Sequence, residues 1–281
     1  MRESITKFRE QIERNSKTVL EAYPKFAEAA EIINQTFWDL TDHETHLTIP
    51  KKGKSYGAVE GLCYGAHGSW VHALIFASAG LTSEAYAALR RAIEFTAYSA
   101  KILGKDKRVE LWERRSESTK SRRAFAGSFG IPTAYLQEKY RCLFPLLVAF
   151  ELASDLGVHA NHEVVALGMQ RQKSGDLRYS YHEDKGQVWR RVALVLIVGR
   201  RIIQALRAIL AKQLRDTDTL DAQIALLERS LRDARLETLP EGASREAVDA
   251  IRLDDQAAII EILKKICDRD EIPYDPGLFD S

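Results

Sequence analysis

One stretch constrains this chain more than any other: Leu81-Thr82-Ser83-Glu84-Ala85-Tyr86-Ala87-Ala88-Leu89-Arg90-Arg91-Ala92-Ile93-Glu94-Phe95-Thr96-Ala97-Tyr98-Ser99-Ala100-Lys101. Wound at a helical period, it sets Ala85, Ala88, Ala92, Thr96 and Ser99 beside Tyr86, Leu89, Ile93 and Phe95, an apolar and small-residue arc wider than half the circumference. A helix apolar over that width needs neighbours on most sides, which predicts a place in the middle of a helical bundle. The remaining stripe holds Glu84, Arg90, Arg91, Glu94, Tyr98 and Lys101, and there the helix would meet solvent, a ligand or an ionic partner.

The flanking sequence repeats the pattern. Residues 4–20 and 24–40 read as amphipathic helices, the second with Pro24 in its first turn. Residues 41–56 carry Pro50 and Gly53 without a helical period and predict a long loop. A nearly uncharged helix follows over 58–79, then a charge-dense one over 106–125, broken at Gly127 to Pro132. Residues 140–155 predict a short buried helix that starts or bends at Pro145. Ser174-Gly175-Asp176, between alternating apolar positions, predicts a small β-hairpin at about residues 164–182. The longest helix is expected over 187–215, roughly 40 Å if unbroken. Two more are expected after it, near 217–236 and 254–267. The fold class is therefore all-α, an antiparallel helical bundle with one small hairpin.

Hydrophobic residues make up 45% of the 281, enough for a real core, which excludes a disordered chain. The net charge of +1 conceals a division: residues 216–281 carry 17 acidic and 8 basic side chains, and residues 1–215 carry 23 and 33. This predicts a basic bundle over 1–215, with its core at 58–215, and an acidic helical segment over 216–281 packed on it. No run is apolar enough to span a membrane and no apolar leader is visible at the start. Cys63, Cys142 and Cys267 are odd in number and far apart, as expected of reduced thiols in a cytoplasmic protein.

Phosphate-loop, dinucleotide-binding, nucleophile-elbow and HExxH signatures are all missing. What remains are constellations with competing explanations. Arg90 and Glu94 form an i,i+4 pair, and with Arg91 they make a candidate anion site, because Arg90 lies at the margin of the apolar arc and would be partly desolvated. His159 and His162, like His43 and His46, are spaced for metal ligation if helical, but no third ligand is near in sequence. Turn and capping roles are the simpler reading, and neither a metal nor a cofactor is expected. Between Arg190 and Arg215 lie seven basic residues and no acid, and Arg200, Arg201 and Arg207 share one flank. That stripe either tracks phosphates or is covered by the acidic segment that follows.

Two pieces together, Ala87-Ala88-Leu89-Arg90-Arg91-Ala92-Ile93-Glu94 and Leu152-Ala153-Ser154-Asp155-Leu156-Gly157-Val158-His159-Ala160-Asn161, resemble a bacterial group of helical proteins loosely similar to HEPN-type domains. The resemblance covers about residues 60–215. It implies an antiparallel bundle, often a homodimer, and in nuclease members a metal-independent endoribonuclease of toxin or defence type. The nuclease signature, Arg followed after four to six residues by His, is not matched, since Arg178 to His182 falls one residue short. Any such chemistry would be assembled across helices, with His159 or His162 as base and Arg90 stabilising the phosphorane. The reading carried forward is a cytoplasmic helical binding protein with an interhelical pocket formed by Arg90, Arg91, Glu94, His159 and His162, taking RNA or another anionic ligand. The endoribonuclease is the alternative.

Overall fold

The computed structural model describes residues 5–42, 53–130, 141–157, 169–171, 177–179 and 185–237, together with Lys264 and Asp268. Among these residues nine α-helices carry the fold: α1 (Ile5–Ala22), α2 (Pro24–Thr41), α3 (Lys54–Ser78), α4 (Thr82–Ile102), α5 (Asp106–Glu113), α6 (Thr119–Phe129), α7 (Leu147–Gly157), α8 (Lys185–Ile209) and α9 (Thr217–Glu237). A 3-10 turn follows α5, and a second, Arg141–Leu146, holds Pro145 and leads directly into α7. The break at Pro145 therefore precedes the helix and does not kink it.

The expected centre of the bundle shifts. Every residue of α8 from Val192 to Arg200 is buried, a run that demands neighbours on all sides, and α8 packs against α2, α3, α4 and α9. The α4 helix is its flank, lying between α3 and α7. Trp70 of α3 is the largest fully buried side chain, and its Nε1–H donates to the carbonyl of Val195 on α8 at 3.0 Å. Gly199, one turn further along α8, leaves room for that indole: a Cβ there would fall on Trp70 Nε1 and lie 2.9 Å from Cε2. Phe37 and His67 stack beside it, centroids 4.9 Å apart.

The α3–α4 hairpin closes tightly. Gly80 takes φ of 80°, and the Leu81 N–H reaches back to the Phe76 carbonyl at 2.8 Å, satisfying the end of α3. Gly104, at φ of 70°, stops α4 as its position in the sequence predicts. At the other end of α3, Asp106 Oδ1 accepts from the Ser55 N–H at 2.9 Å, which ties α5 to the first turn of α3 and holds that carboxyl below its usual pKa. Lys101, expected on the solvent stripe of α4, is instead 2% exposed. Its ammonium donates to the carbonyls of Ser128 and Gly130, capping the C-terminal end of α6.

Two further expectations change. The helix expected to reach residue 215 ends at Ile209, in a turn held by the Leu210 carbonyl accepting from Gln213 and Leu214. The next helix is capped by Asp216, whose Oδ1 accepts from the N–H groups of Asp218 and Thr219 at 3.1 Å, and not by a threonine. The peripheral α1 buries no residue; it is tied to the end of α3 by Asn15 Nδ2 donating to the Ala79 carbonyl and by the Ser16–Ser78 hydroxyl pair.

Most of the hairpin region at 164–182 lies outside the described residues. Within it Met169–Arg171 and Leu177–Tyr179 run antiparallel, three residues each, too short a pairing to form a layer, so the described fold is all-α. Residues 41–52 are described only at Thr41 and Asp42, and the helix expected at 254–267 is described only at Lys264.

Candidate anion-binding site

On α4 the residues Tyr86, Arg90, Glu94 and Tyr98 recur every fourth position and so form one row, each a turn above the last. Arg90 Nε donates to Glu94 Oε1 at 3.1 Å. Both side chains are about three-quarters buried, at 25% and 29% exposure, and the Arg90 guanidinium lies over the Phe150 ring of α7, 5.0 Å from its centroid. A partly desolvated guanidinium on an aromatic face holds a fixed orientation, unlike one on a solvated stripe.

One turn before Arg90, the buried Tyr86 presents its hydroxyl to α8, where Arg191 Nη1 donates to it at 3.0 Å and the guanidinium sits 5.7 Å from the ring centroid. One turn after Glu94, Tyr98 packs edge-on against Phe125 and Phe129 of α6. Burial, then the Glu94 carboxylate, push its phenol up to about 12, while Arg115 and Arg90 pull the other way. Tyr98 is therefore a neutral hydroxyl at physiological pH. Arg115 in turn lies over Trp112, 5.1 Å from its centroid. The row thus runs from a guanidinium of α8, past Arg90, toward one at the α5–α6 corner. Such an array suits an anion: forked N–H donors, neutral hydroxyls and apolar walls that lower the local dielectric.

Of the expected site residues, Arg90 and Glu94 are together as the spacing implies. Arg91 is not with them; it is exposed, a third of a turn off the row. His159 and His162 lie outside the described residues, as do His43 and His46. The two described histidines serve elsewhere. His67 shares a hydrogen bond with Asn34 Oδ1 at 2.8 Å, and burial lowers its pKa, while the exposed His72 stacks on Phe76. Among the described residues no cluster of His, Cys, Asp and Glu is arranged to hold a metal. The thiols of Cys63 and Cys142 are pushed by burial to about 12 and about 11, so both are inert at neutral pH.

The basic flank of α8 is corrected most. Arg200 is 7% exposed with Nη1 3.4 Å from Glu228 of α9, and Arg207 makes a two-pronged pair with Asp221 at 2.8 and 2.6 Å. Arg201 reaches Gln204 on its own helix at 3.3 Å. The acidic segment therefore covers this flank over α9, and Arg200 and Arg207 are not an open track for phosphates. Arg191, Tyr86 and Phe150 are the site residues that the sequence did not single out. The stride of four from Tyr86 to Tyr98 was the available signal, but nothing in the sequence pairs Tyr86 with a particular arginine more than a hundred positions away.

No helix of the described residues is long and apolar enough to cross a membrane. Compared with protein-family models, with curated proteins and with solved structures, the chain matches none.

Proposed function

We propose that this protein is a helical binding module of the cytoplasm that takes an anionic group on the α4 row, with Arg90 and Arg191 as the charged donors and Tyr86 and Glu94 fixing their orientation. The observation that carries this reading is the arrival of two guanidiniums from different helices at successive turns of one helix face, each seated on an aromatic ring. An ion pair whose only task is to stabilise an exposed helix needs neither the ring nor the second helix. RNA is one anion of the right chemistry, and the bundle resemblance makes it worth including.

The test is a thermal-shift titration with inorganic phosphate, because a ligand that binds only the folded state raises the melting temperature in proportion to its affinity. Wild-type protein should be stabilised, and Arg90→Gln and Arg191→Gln should each lose most of that response. An equal response in both variants would refute the site. Metal-independent RNA cleavage in EDTA that is lost in His159→Ala would replace this reading with the endoribonuclease.

A further inference from the structure

Helix α3 keeps one side uncovered, and its composition is unusual for a surface. From Gly57 to Ile75 the exposed positions are Gly57, Gly61, Tyr64, Gly68, His72 and Ile75. The one Asp, Glu, Lys or Arg in that span, Glu60, is on the flank, although such residues make up 29% of the chain. Tyr64 is 40% exposed and Ile75 41%, and beside them on α2 Trp38 is 49% exposed, its ring 6.0 Å from that of Tyr64.

The glycines on this face are not explained by the molecule's own packing. Gly65, on the covered side, has a reason: a Cβ would lie 2.9 Å from the Phe95 ring. Gly57, Gly61 and Gly68 would meet nothing within 4 Å, yet each weakens the helix relative to alanine. What they leave room for lies outside the described fold.

The order of large and small residues indicates what fits. About a point beside Ala66, Gly57 mirrors Ile75, Gly61 mirrors His72, and Tyr64 mirrors Gly68. When two copies of this face meet antiparallel about a two-fold axis at that point, every large side chain of one copy faces a glycine of the other, as an isologous contact requires. An unrelated partner would place no such demand on the order. We infer that this face is a self-association surface on which a second copy of the chain docks, α3 against α3, with Trp38 at its rim. The strip, about 27 Å long and one helix wide, is small beside the ~1,000 Å² total that a specific interface needs, so Trp38 has to contribute and a dimer that dissociates at micromolar concentration is expected. This inference does not depend on the anion site, which uses α4, α7 and α8.

Sedimentation equilibrium of the full chain, from micromolar to near-millimolar concentration, tests it. Wild-type protein should move from one to two chain masses. Gly61→Leu and Gly68→Leu should each weaken dimerisation at least about tenfold while leaving helicity and melting temperature unreduced, since neither side chain meets anything within the monomer. Ala124→Leu, on the exposed side of α6, should leave the dimer intact. Exchanging the two sizes in Tyr64→Ala/Gly68→Leu should restore dimerisation lost in Gly68→Leu. A chain that is monomeric throughout, as it would be if another of its own segments covered the face, overturns the inference, and so does a dimer indifferent to both leucines.

Discussion

Gly199→Ala is the sharpest perturbation of the fold because its expected sign is opposite to the usual one. Glycine to alanine inside a helix ordinarily stabilises by about 1 kcal/mol. Here the added methyl would fall on Trp70 Nε1 and lie 2.9 and 3.0 Å from Cε2 and Cδ1, and the indole cannot retreat without giving up its 3.0 Å bond to the Val195 carbonyl. Crowding a packed core costs roughly 1–3 kcal/mol, and leaving a buried donor unpaired costs roughly 1–3 more. Set against the propensity gain, the net is a loss of about 1–5 kcal/mol, centred near 3. For a chain of this size that is a fall of roughly 6–12 °C in melting temperature. Urea denaturation gives the free energy, provided the slope of the transition is unchanged. Trp70→Phe removes the N–H and shrinks the ring, so Gly199→Ala should cost much less in that background, a coupling that a double-mutant cycle measures directly. Gly127→Ala, at a helical position where a Cβ meets nothing, is the control and should be neutral or stabilising. Should Gly199→Ala prove as stable as Gly127→Ala, the Trp70–Gly199 lock is not what joins α3 to α8.

Three further outcomes follow from the same contacts. Lys101→Met, which keeps the stem but leaves the Ser128 and Gly130 carbonyls without the ammonium, should cost about 2–4 kcal/mol and raise amide exchange in α6 more than in α2; uniform exchange would refute the capping role. Tyr86→Phe removes the acceptor of the Arg191 bond and should cost about 1 kcal/mol while weakening the phosphate response; an unchanged response would show that the hydroxyl does not orient Arg191. Asp106 is held below the ordinary carboxyl range by the Ser55 N–H, so its stabilisation is present above the ordinary value and lost as pH falls through the lowered one. The wild-type and Asp106→Asn stability curves should therefore differ near neutrality and converge in acid, and parallel curves would exclude the tie.

How much of this was legible beforehand depended on the range of the interaction concerned. Helix positions came from local period and from punctuation by Pro24, Gly104 and Pro145, and those survive. The location of the centre did not, because α4 and α8 are both apolar and only packing distinguishes them: α8 is buried all round despite Arg200, whose charge is met by Glu228. Lys101 shows the same limit in reverse. On a wheel it belongs to the polar stripe, but the carbonyl end of α6, a separate segment, makes a buried ammonium favourable there. The division of charge at residue 216 did forecast an internal contact, since opposite fields on consecutive segments attract, and Asp221 on Arg207 is that attraction in one pair.

The glycines make the final argument. In the sequence Gly57, Gly61, Gly65, Gly68 and Gly199 are alike, each an interruption in an apolar helix. The fold separates them by what a methyl group would strike. Gly65 and Gly199 are fixed by Phe95 and Trp70 within the chain, whereas Gly57, Gly61 and Gly68 face open space. A residue that weakens its own helix and relieves no internal clash is explained only by a contact the monomer does not contain. Substitution should therefore divide the set: alanine at Gly65 or Gly199 damages the folded monomer, and leucine at Gly61 or Gly68 spares the monomer and damages only its association.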